Sequence, residues 1–168
     1  MDINGPANLS SLRDRLKKTQ ELTRQVLLKL CEKKGCEFLY ELKFKPVGWH
    51  PVEQNQCENI VEQINLHATY RAAVDGLEIL MNKHPGEQWI LEPGYRGKGH
   101  DIVSKSGKIA AEVIAAVDPG NNLKLQKDIE KIKTFSGPHK YMIYRCANEP
   151  CSEKRTGRVT VISLGPIP

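Results

Sequence analysis

The sequence predicts an α/β fold in which a mixed sheet is flanked by helices and preceded by an N-terminal helical segment. Two long stretches with helical spacing open the chain, at 9–30 and 59–81, and a third lies at 123–135. Short apolar runs typical of strands follow Gly86, at 88–92, 102–103, 109–117, 140–146 and 158–164. We expect one compact domain, with a helical segment and loop over residues 1–58 and the α/β core over residues 59–168.

Composition narrows the class of protein. The chain has 168 residues, of which 39% are hydrophobic and 27% charged, as in ordinary globular proteins. Its longest apolar stretch, Val113 to Val117, is far shorter than a membrane span. The first residues lack the basic and apolar regions of a secretory signal, so we expect a cytoplasmic protein that does not enter membranes. A net charge of +5 favours a polyanionic partner such as nucleic acid.

The first helical stretch, Leu9 to Leu30, carries a stripe of apolar residues and threonines at alternating spacings of three and four, with basic residues between them. This stripe is compatible with a dimer seam or with packing on its own domain. Next, Glu37 to Lys45 alternates loosely and is interpreted as a short strand. The helix from Asn59 to Met81 follows.

Five cysteines are an odd number for a disulfide framework, so reduced thiols are expected. Two pairs, Cys31 with Cys36 and Cys146 with Cys151, have the same four-residue separation. Together they offer four thiolates for zinc, although the commoner spacing is two residues, and small buried side chains are the better explanation.

The feature most informative about chemistry is a pair of acids on a predicted hairpin. Asp101 precedes the apolar pair at 102–103, and Glu112 lies within the apolar run that follows the turn. Strand alternation places Glu112 on the same face as Ala110 and Ile114, where an unpaired charge is costly. Glu112 therefore needs a partner, either a metal ion or a basic side chain. Two carboxylates at adjacent strand ends are suited to a hard divalent cation.

This region resembles the PD-(D/E)XK nuclease superfamily, which includes many restriction endonucleases. The similarity covers roughly residues 61–144 in element order, and the segments that carry it are 99–103, 109–113, 121–128 and 140–144. The resemblance implies a restriction-endonuclease-like core and a Mg²⁺-dependent endodeoxyribonuclease of the type II restriction class, with Mn²⁺ as a substitute ion. Asp101, Glu112 and the main-chain carbonyl of Val113 would be the metal ligands, and a lysine two residues beyond the second acid would position or activate the attacking water.

The sequence departs from the family motif at two positions. His100 stands in place of the proline, and Ile114 in place of the lysine. We expect a lysine from the following helix to replace it, Lys124 first and Lys127 second. The alternative is that Lys124 only pairs with Asp128 one helical turn away.

Further residues complete the predicted site, Glu78 by the resemblance and four others by their position and chemistry. Glu78 is similar to the helical acid that some relatives add to the site, and a surface charge is the alternative. Arg96 and Lys98 in the glycine-rich loop, together with Asn121 and Asn122 at the helix start, are the expected DNA contacts.

Three functions follow. The first is a DNA endonuclease that works as a homodimer, because two active sites cut both strands in one encounter. The second is a catalytically inactive nuclease-fold module for DNA binding or protein interaction, favoured by Ile114. The third is a zinc-stabilised interaction domain built on the cysteine pairs.

Overall fold

The structure is a computed structural model that describes residues 1–32, 37–53, 56–94, 99–116, 118 and 123–166. Its helices are α1 (Pro6–Cys31), α2 (Glu37–Phe44), α3 (Ile60–Lys83) and α4 (Lys124–Lys133). Its strands are β1 (Asp2–Ile3), β2 (Gly48–Trp49), β3 (Cys57–Glu58), β4 (Trp89–Leu91), β5 (Ile102–Ser104), β6 (Ile109–Ala115), β7 (His139–Arg145), β8 (Cys151–Thr156) and β9 (Val159–Leu164). Within these residues, no helix combines the length and the apolar character that crossing a membrane requires.

Seven strands form one mixed sheet in the order β1-β4-β5-β6-β7-β9-β8, and β2 and β3 form a separate two-stranded sheet. Strands β6, β7 and β9 run parallel to one another. The pairs on either side of them are antiparallel: β4 with β5, β5 with β6, and β8 with β9. The parallel pair β6 and β7 is joined through α4, as a parallel connection requires a crossover. The predicted α/β class and the mixed sheet flanked by helices are confirmed.

The alternation along β6 divides the core into two layers. Ala111 and Val113 belong to the apolar cluster that contains α1 and α3, while Ala110 and Ile114 belong to the cluster under α4. Helices therefore cover both faces of the central strand. This is why β6 reads as a nearly continuous apolar run with one acid in it.

The first helix packs on its own chain. Leu9, Leu12 and Leu16 are buried in the same cluster as the α3 residues Ala73 and Leu77. For this part of the stripe, packing on its own domain is what the structure shows. The segment before α1 also joins the sheet, because β1 pairs antiparallel with β4.

The strand predicted over Glu37 to Lys45 is wrong, because α2 occupies this segment. Its sequence contains good helix formers, and its side chains pair at the separation of one helical turn. The rings of Tyr40 and Phe44 lie 4.7 Å apart, and Lys45 Nζ lies 2.6 Å from Glu41 Oε1. These helical pairs outweigh the loose alternation.

Helix α3 lies unusually close to the sheet at Gly76. A Cβ atom added to Gly76 would lie 2.9 Å from both Cδ1 and Cγ2 of Ile143 on β7. Only glycine allows this approach without movement of the branched side chain. Asn59 caps the start of the helix by accepting from the N–H groups of Val61 and Glu62, which fixes its first turn.

Candidate metal-binding nuclease site

The candidate site lies where β5 stops pairing with β6. In this hairpin Ile102 pairs with Ala111 and Val103 with Ala110, so the last residues of β6 extend beyond it. There the Val113 N–H donates to Asp101 Oδ2 over 2.7 Å. The carboxylate thus takes the place of a strand neighbour and is fixed against the exposed edge of β6.

The Val113 carbonyl belongs to the same edge. The N–H and C=O of one strand residue point to the same neighbour, and the N–H of Val113 is directed at Asp101. Val113 also lines the cleft described below. Its carbonyl oxygen is therefore available beside Asp101 as a ligand for a metal ion.

Glu112 is the buried acid of the pair, with 2% of its surface exposed. Its Oε1 lies 2.5 Å from His100 Nδ1, and its Oε2 accepts from Lys131 Nζ over 2.8 Å. The ring of His100 is in turn packed edge-on against Phe135, with the centroids 5.3 Å apart. The partner that a buried carboxylate requires is thus supplied by two basic side chains.

Lys131, rather than Lys124, is the helix lysine that reaches Glu112. Lys124 Nζ instead lies 3.0 Å from Asp128 Oδ2, as in the alternative pairing. Lys127 does not line the cleft that holds the acids, whereas Lys124 and Lys131 do. The geometry therefore favours neither of the two lysines expected from the sequence as the partner of Glu112.

The lengths of β6 and α4 explain why Lys131, and not Lys124, reaches Glu112. Glu112 lies three residues before the end of β6 at Ala115, which is about 10 Å back along the strand. Helix α4 follows β6 and packs back over β6 and β7. A helix covers about 10 Å in seven residues, and seven residues beyond Lys124 is Lys131. Counting from the helix start singles out Lys131 once α4 is known to pack back over β6.

The electrostatics of Asp101 set it apart from an ordinary surface acid. Burial, followed by the charge of Glu112, raises the pKa of Asp101 to about 7, against the opposing effects of the Val113 N–H and Lys131. Two carboxylates thus share a poorly solvated floor. Perturbed acids of this kind are concentrated at functional sites.

Both acids lie in a cleft of about 600 Å³ between α3 and α4. The α3 wall is formed by Glu62, Asn65, Leu66 and Thr69. The α4 wall is formed by Lys124, Asp128 and Lys131. A cleft of this size falls within the range of small-molecule and cofactor sites, about 300–1,000 Å³.

Glu78, the helical acid expected from the sequence, lies elsewhere. Its carboxylate binds Arg13 on α1, with Oε2 2.8 Å from Nη2. The α3 acid that lines the cleft is Glu62, in the first turn of the helix. The two positions are about 24 Å apart along the helix, so only one of them can face the site. The alternative, a surface charge, describes Glu78.

The expected DNA contacts Arg96, Lys98, Asn121 and Asn122 lie outside the described residues. Their assignment stays a prediction.

The oxygen atoms at this site fit a hard divalent cation as ligands. From the described part of the chain, Asp101 Oδ1 receives a single long hydrogen bond of 3.3 Å, from the Gly94 N–H, and keeps lone pairs for a ligand. Asp101, Glu112 and the Val113 carbonyl offer oxygen only, as Mg²⁺ prefers. A cation at this point would also offset the shared negative charge that raises the pKa of Asp101.

The positions of the cysteines are less informative about a metal site. Cys36 is outside the described residues, Cys31 and Cys151 are exposed, and Cys146 is buried. Cys151 Sγ donates to the Leu164 carbonyl over 3.1 Å. Within the described part of the chain, no three or more histidine, cysteine or acidic side chains are grouped so as to hold a metal ion by themselves.

Comparison with known proteins found no matching family model, no significantly similar curated protein and no significantly similar solved structure.

Proposed function

We propose that this protein is a metal-dependent nuclease that hydrolyses phosphodiester bonds in DNA, with its active site at the end of β6. The observation that supports the proposal most strongly is the convergence of Asp101, Glu112 and Lys131 on one cleft. The carboxylates come from adjacent chain segments and the ammonium from the crossover helix, 2.8 Å from Glu112. This is the set of groups that the sequence resemblance requires, with the lysine supplied from α4.

Each group has a distinct task. Asp101, Glu112 and the Val113 carbonyl would hold Mg²⁺, which supplies Lewis acidity toward the scissile phosphate and makes water a better nucleophile at neutral pH. Lys131 places a positive charge at the cleft floor, where it stabilises negative charge that develops during hydrolysis. Its side chain is 46% exposed while that of Glu112 is 3% exposed, so the ammonium is open to a ligand in the cleft.

His100 positions Glu112 in this account. Its Nδ1 contacts Glu112 Oε1, and Phe135 restricts its ring from the other side. The contact leaves the carboxylate little rotational freedom, which lowers the entropy lost when it takes part in binding. The sequence showed His100 only as a departure from the family motif.

The proposal is tested by nicking of supercoiled plasmid DNA with Mg²⁺ and with EDTA. The wild type is compared with Asp101→Asn and Glu112→Gln, which keep side-chain size and an acceptor oxygen but remove the charge. Lys133→Met serves as a matched surface control, since Lys133 pairs with Glu130 on the same helix. We expect Mg²⁺-dependent nicking by the wild type and the control and a loss of at least about 100-fold in the two acid variants. Absence of wild-type cleavage of both supercoiled plasmid and single-stranded DNA with every divalent cation would refute the proposal.

A catalytically inactive nuclease-fold module is the alternative function. It is favoured by Ile114 at the motif's lysine position and by the engagement of both Glu112 oxygens by basic side chains. Nucleic-acid binding without cleavage in the same assay would support it. The type II restriction activity and the homodimer stay predictions, to be tested by double-strand cleavage and by solution mass.

A further inference from the structure

A second depression adjoins the cleft. It has a volume of about 450 Å³ and is lined mainly by apolar side chains, among them Ile64, Ala68, Ala147 and Pro166. Asn65 and Ala115 line both depressions, so the two are continuous. We call this depression the side groove.

We propose that the side groove receives an unpaired nucleobase of the strand whose phosphate lies at Asp101 and Glu112. The substrate is then single-stranded or locally unpaired nucleic acid. This inference rests on the proposed nuclease function and narrows it, because a restriction enzyme of the expected type acts on duplex DNA.

Distance and size support this occupant. Ala115, at the junction, lies three residues beyond Glu112 on β6, which is about 10 Å along the strand. A base on a sugar next to the scissile phosphate can span this separation. The volume of the side groove falls in the range of about 300–1,000 Å³ that holds planar organic ligands.

The lining chemistry suits a base better than a phosphate. Small apolar side chains form flat walls against which the face of a base can stack. Ile64 is 62% exposed at the rim, an apolar surface left without cover in this chain. Asn65 places an amide at the junction, where it can meet either a base edge or the sugar-phosphate backbone.

Arg145 is the charged side chain among the described residues that line the side groove. It is 8% exposed, and its guanidinium is held by two contacts, Nη1 to the Pro166 carbonyl at 3.1 Å and Nη2 to Asp75 Oδ2 at 2.7 Å. Its Nε is buried without a hydrogen-bond partner among the described residues. A fixed guanidinium plane is a surface on which bases stack. Asp75 also binds Arg13, whose second partner is Glu78, so two carboxylates balance the two guanidiniums and Arg145 does not require a phosphate.

A paired base cannot reach the side groove. In a duplex each base is stacked and hydrogen-bonded, and it enters a protein pocket only after it leaves the stack. The acid Glu62 on the α3 wall of the cleft further disfavours two closely spaced phosphate backbones. One strand avoids both difficulties.

The test uses the full chain and fluorescent oligonucleotides about ten nucleotides long, as single strands of DNA and of RNA and as DNA duplex. Binding is measured by anisotropy with Ca²⁺, and cleavage is measured with Mg²⁺. Ala147→Phe fills the side groove from an exposed position, and Asn148→Phe is the matched control, since the adjacent exposed Asn148 does not line it. Circular dichroism and melting temperature establish that both variants are folded.

We expect single-stranded DNA to bind and be cleaved at least about fivefold better than duplex, the effect of one stacked base. Ala147→Phe should lose that preference while Asn148→Phe keeps it. Scanning one abasic position along the strand should find a site where removal of the base weakens wild-type binding about fivefold but leaves Ala147→Phe unaffected. A preference for RNA over DNA single strands with the same abasic response would keep the base site and change the proposed sugar.

Equal cleavage of duplex and single strand, or equal behaviour of the two phenylalanine variants, would overturn the inference while leaving the nuclease proposal intact. Failure of the nuclease proposal has a different signature, since the wild type would then cleave no oligonucleotide at all. Single-strand binding that shows the abasic response without cleavage would support the side groove in the inactive alternative.

Discussion

Lys131 on α4 and Glu112 on β6 form an ion pair of 2.8 Å across 19 residues of sequence. The carboxylate is buried, whereas the ammonium is half-exposed and lines the cleft. This asymmetry places a cation at the boundary between the core and the site where we propose that substrate binds.

Divalent cations should stabilise the fold through the two carboxylates. With Mn²⁺ at about 100 times its dissociation constant, the free energy of unfolding should rise by about 2.7 kcal/mol, which corresponds to several degrees in melting temperature. Asp101→Asn should abolish this rise. Asp128→Asn is the control, because Asp128 lines the cleft but binds Lys124. An equal Mn²⁺ response in Asp101→Asn and the wild type would place the ion elsewhere.

The sequence was sufficient for most of the fold because the strong periodic patterns lie in buried elements. The helix starting at Asn59 was recognised because its side chains alternate between core and solvent, and β6 because it is apolar on both faces. Strand β8 was missed since all six of its residues are exposed and polar, which leaves no apolar pattern. Such edge strands are defined by backbone pairing, here with β9.

The site residues also fall into two groups, those with a local sequence signal and those that depend on tertiary packing. Asp101 and Glu112 were found because an acid within an apolar run is a local signal. Lys131 was missed because its approach to Glu112 depends on how α4 packs across β6, which is a tertiary relationship. Glu62 was missed for a similar reason, since the rotation of α3 on the sheet decides which of its acids faces the cleft.

Gly76→Ala should destabilise the protein, although alanine is normally the better helix former by about 1 kcal/mol. The added Cβ would lie 2.9 Å from two atoms of Ile143, and this overpacking should cost about 1–3 kcal/mol. Urea denaturation measures the change. Ile143→Val removes Cδ1 and should be less harmful in the Gly76→Ala background than in the wild type. Strictly additive effects would show that the two residues do not set the spacing of α3.

Stability should fall with pH below about 6.5 because of His67. Its side chain is 8% exposed, and neither ring nitrogen has a hydrogen-bond partner among the described residues. Burial, with a smaller contribution from the nearby His50, lowers the pKa of His67 to about 4. Between pH 6.5 and 4 the unfolded chain therefore binds a proton that the folded chain does not, so stability rises with pH across this window.

His67→Leu should remove this contribution. Urea midpoints measured from pH 7.5 to 4.5 should vary less in the variant, with a difference on the order of 1–3 kcal/mol over the range. At pH 7.5 the variant should be at least as stable as the wild type, because leucine buries no unpaired nitrogen. A parallel pH dependence in both proteins would assign the acid sensitivity to other groups.

The proposed role of Lys131 in the nuclease site is tested most directly by comparing the plasmid-nicking rates of Lys131→Met and Lys124→Met with Mg²⁺. Both substitutions remove a charge from the same wall of the cleft, but only Lys131 contacts Glu112. We expect Lys131→Met to lower the nicking rate at least about 100-fold, while Lys124→Met stays within a few-fold of the wild type. Full activity of Lys131→Met, or a greater loss in Lys124→Met, would contradict this role.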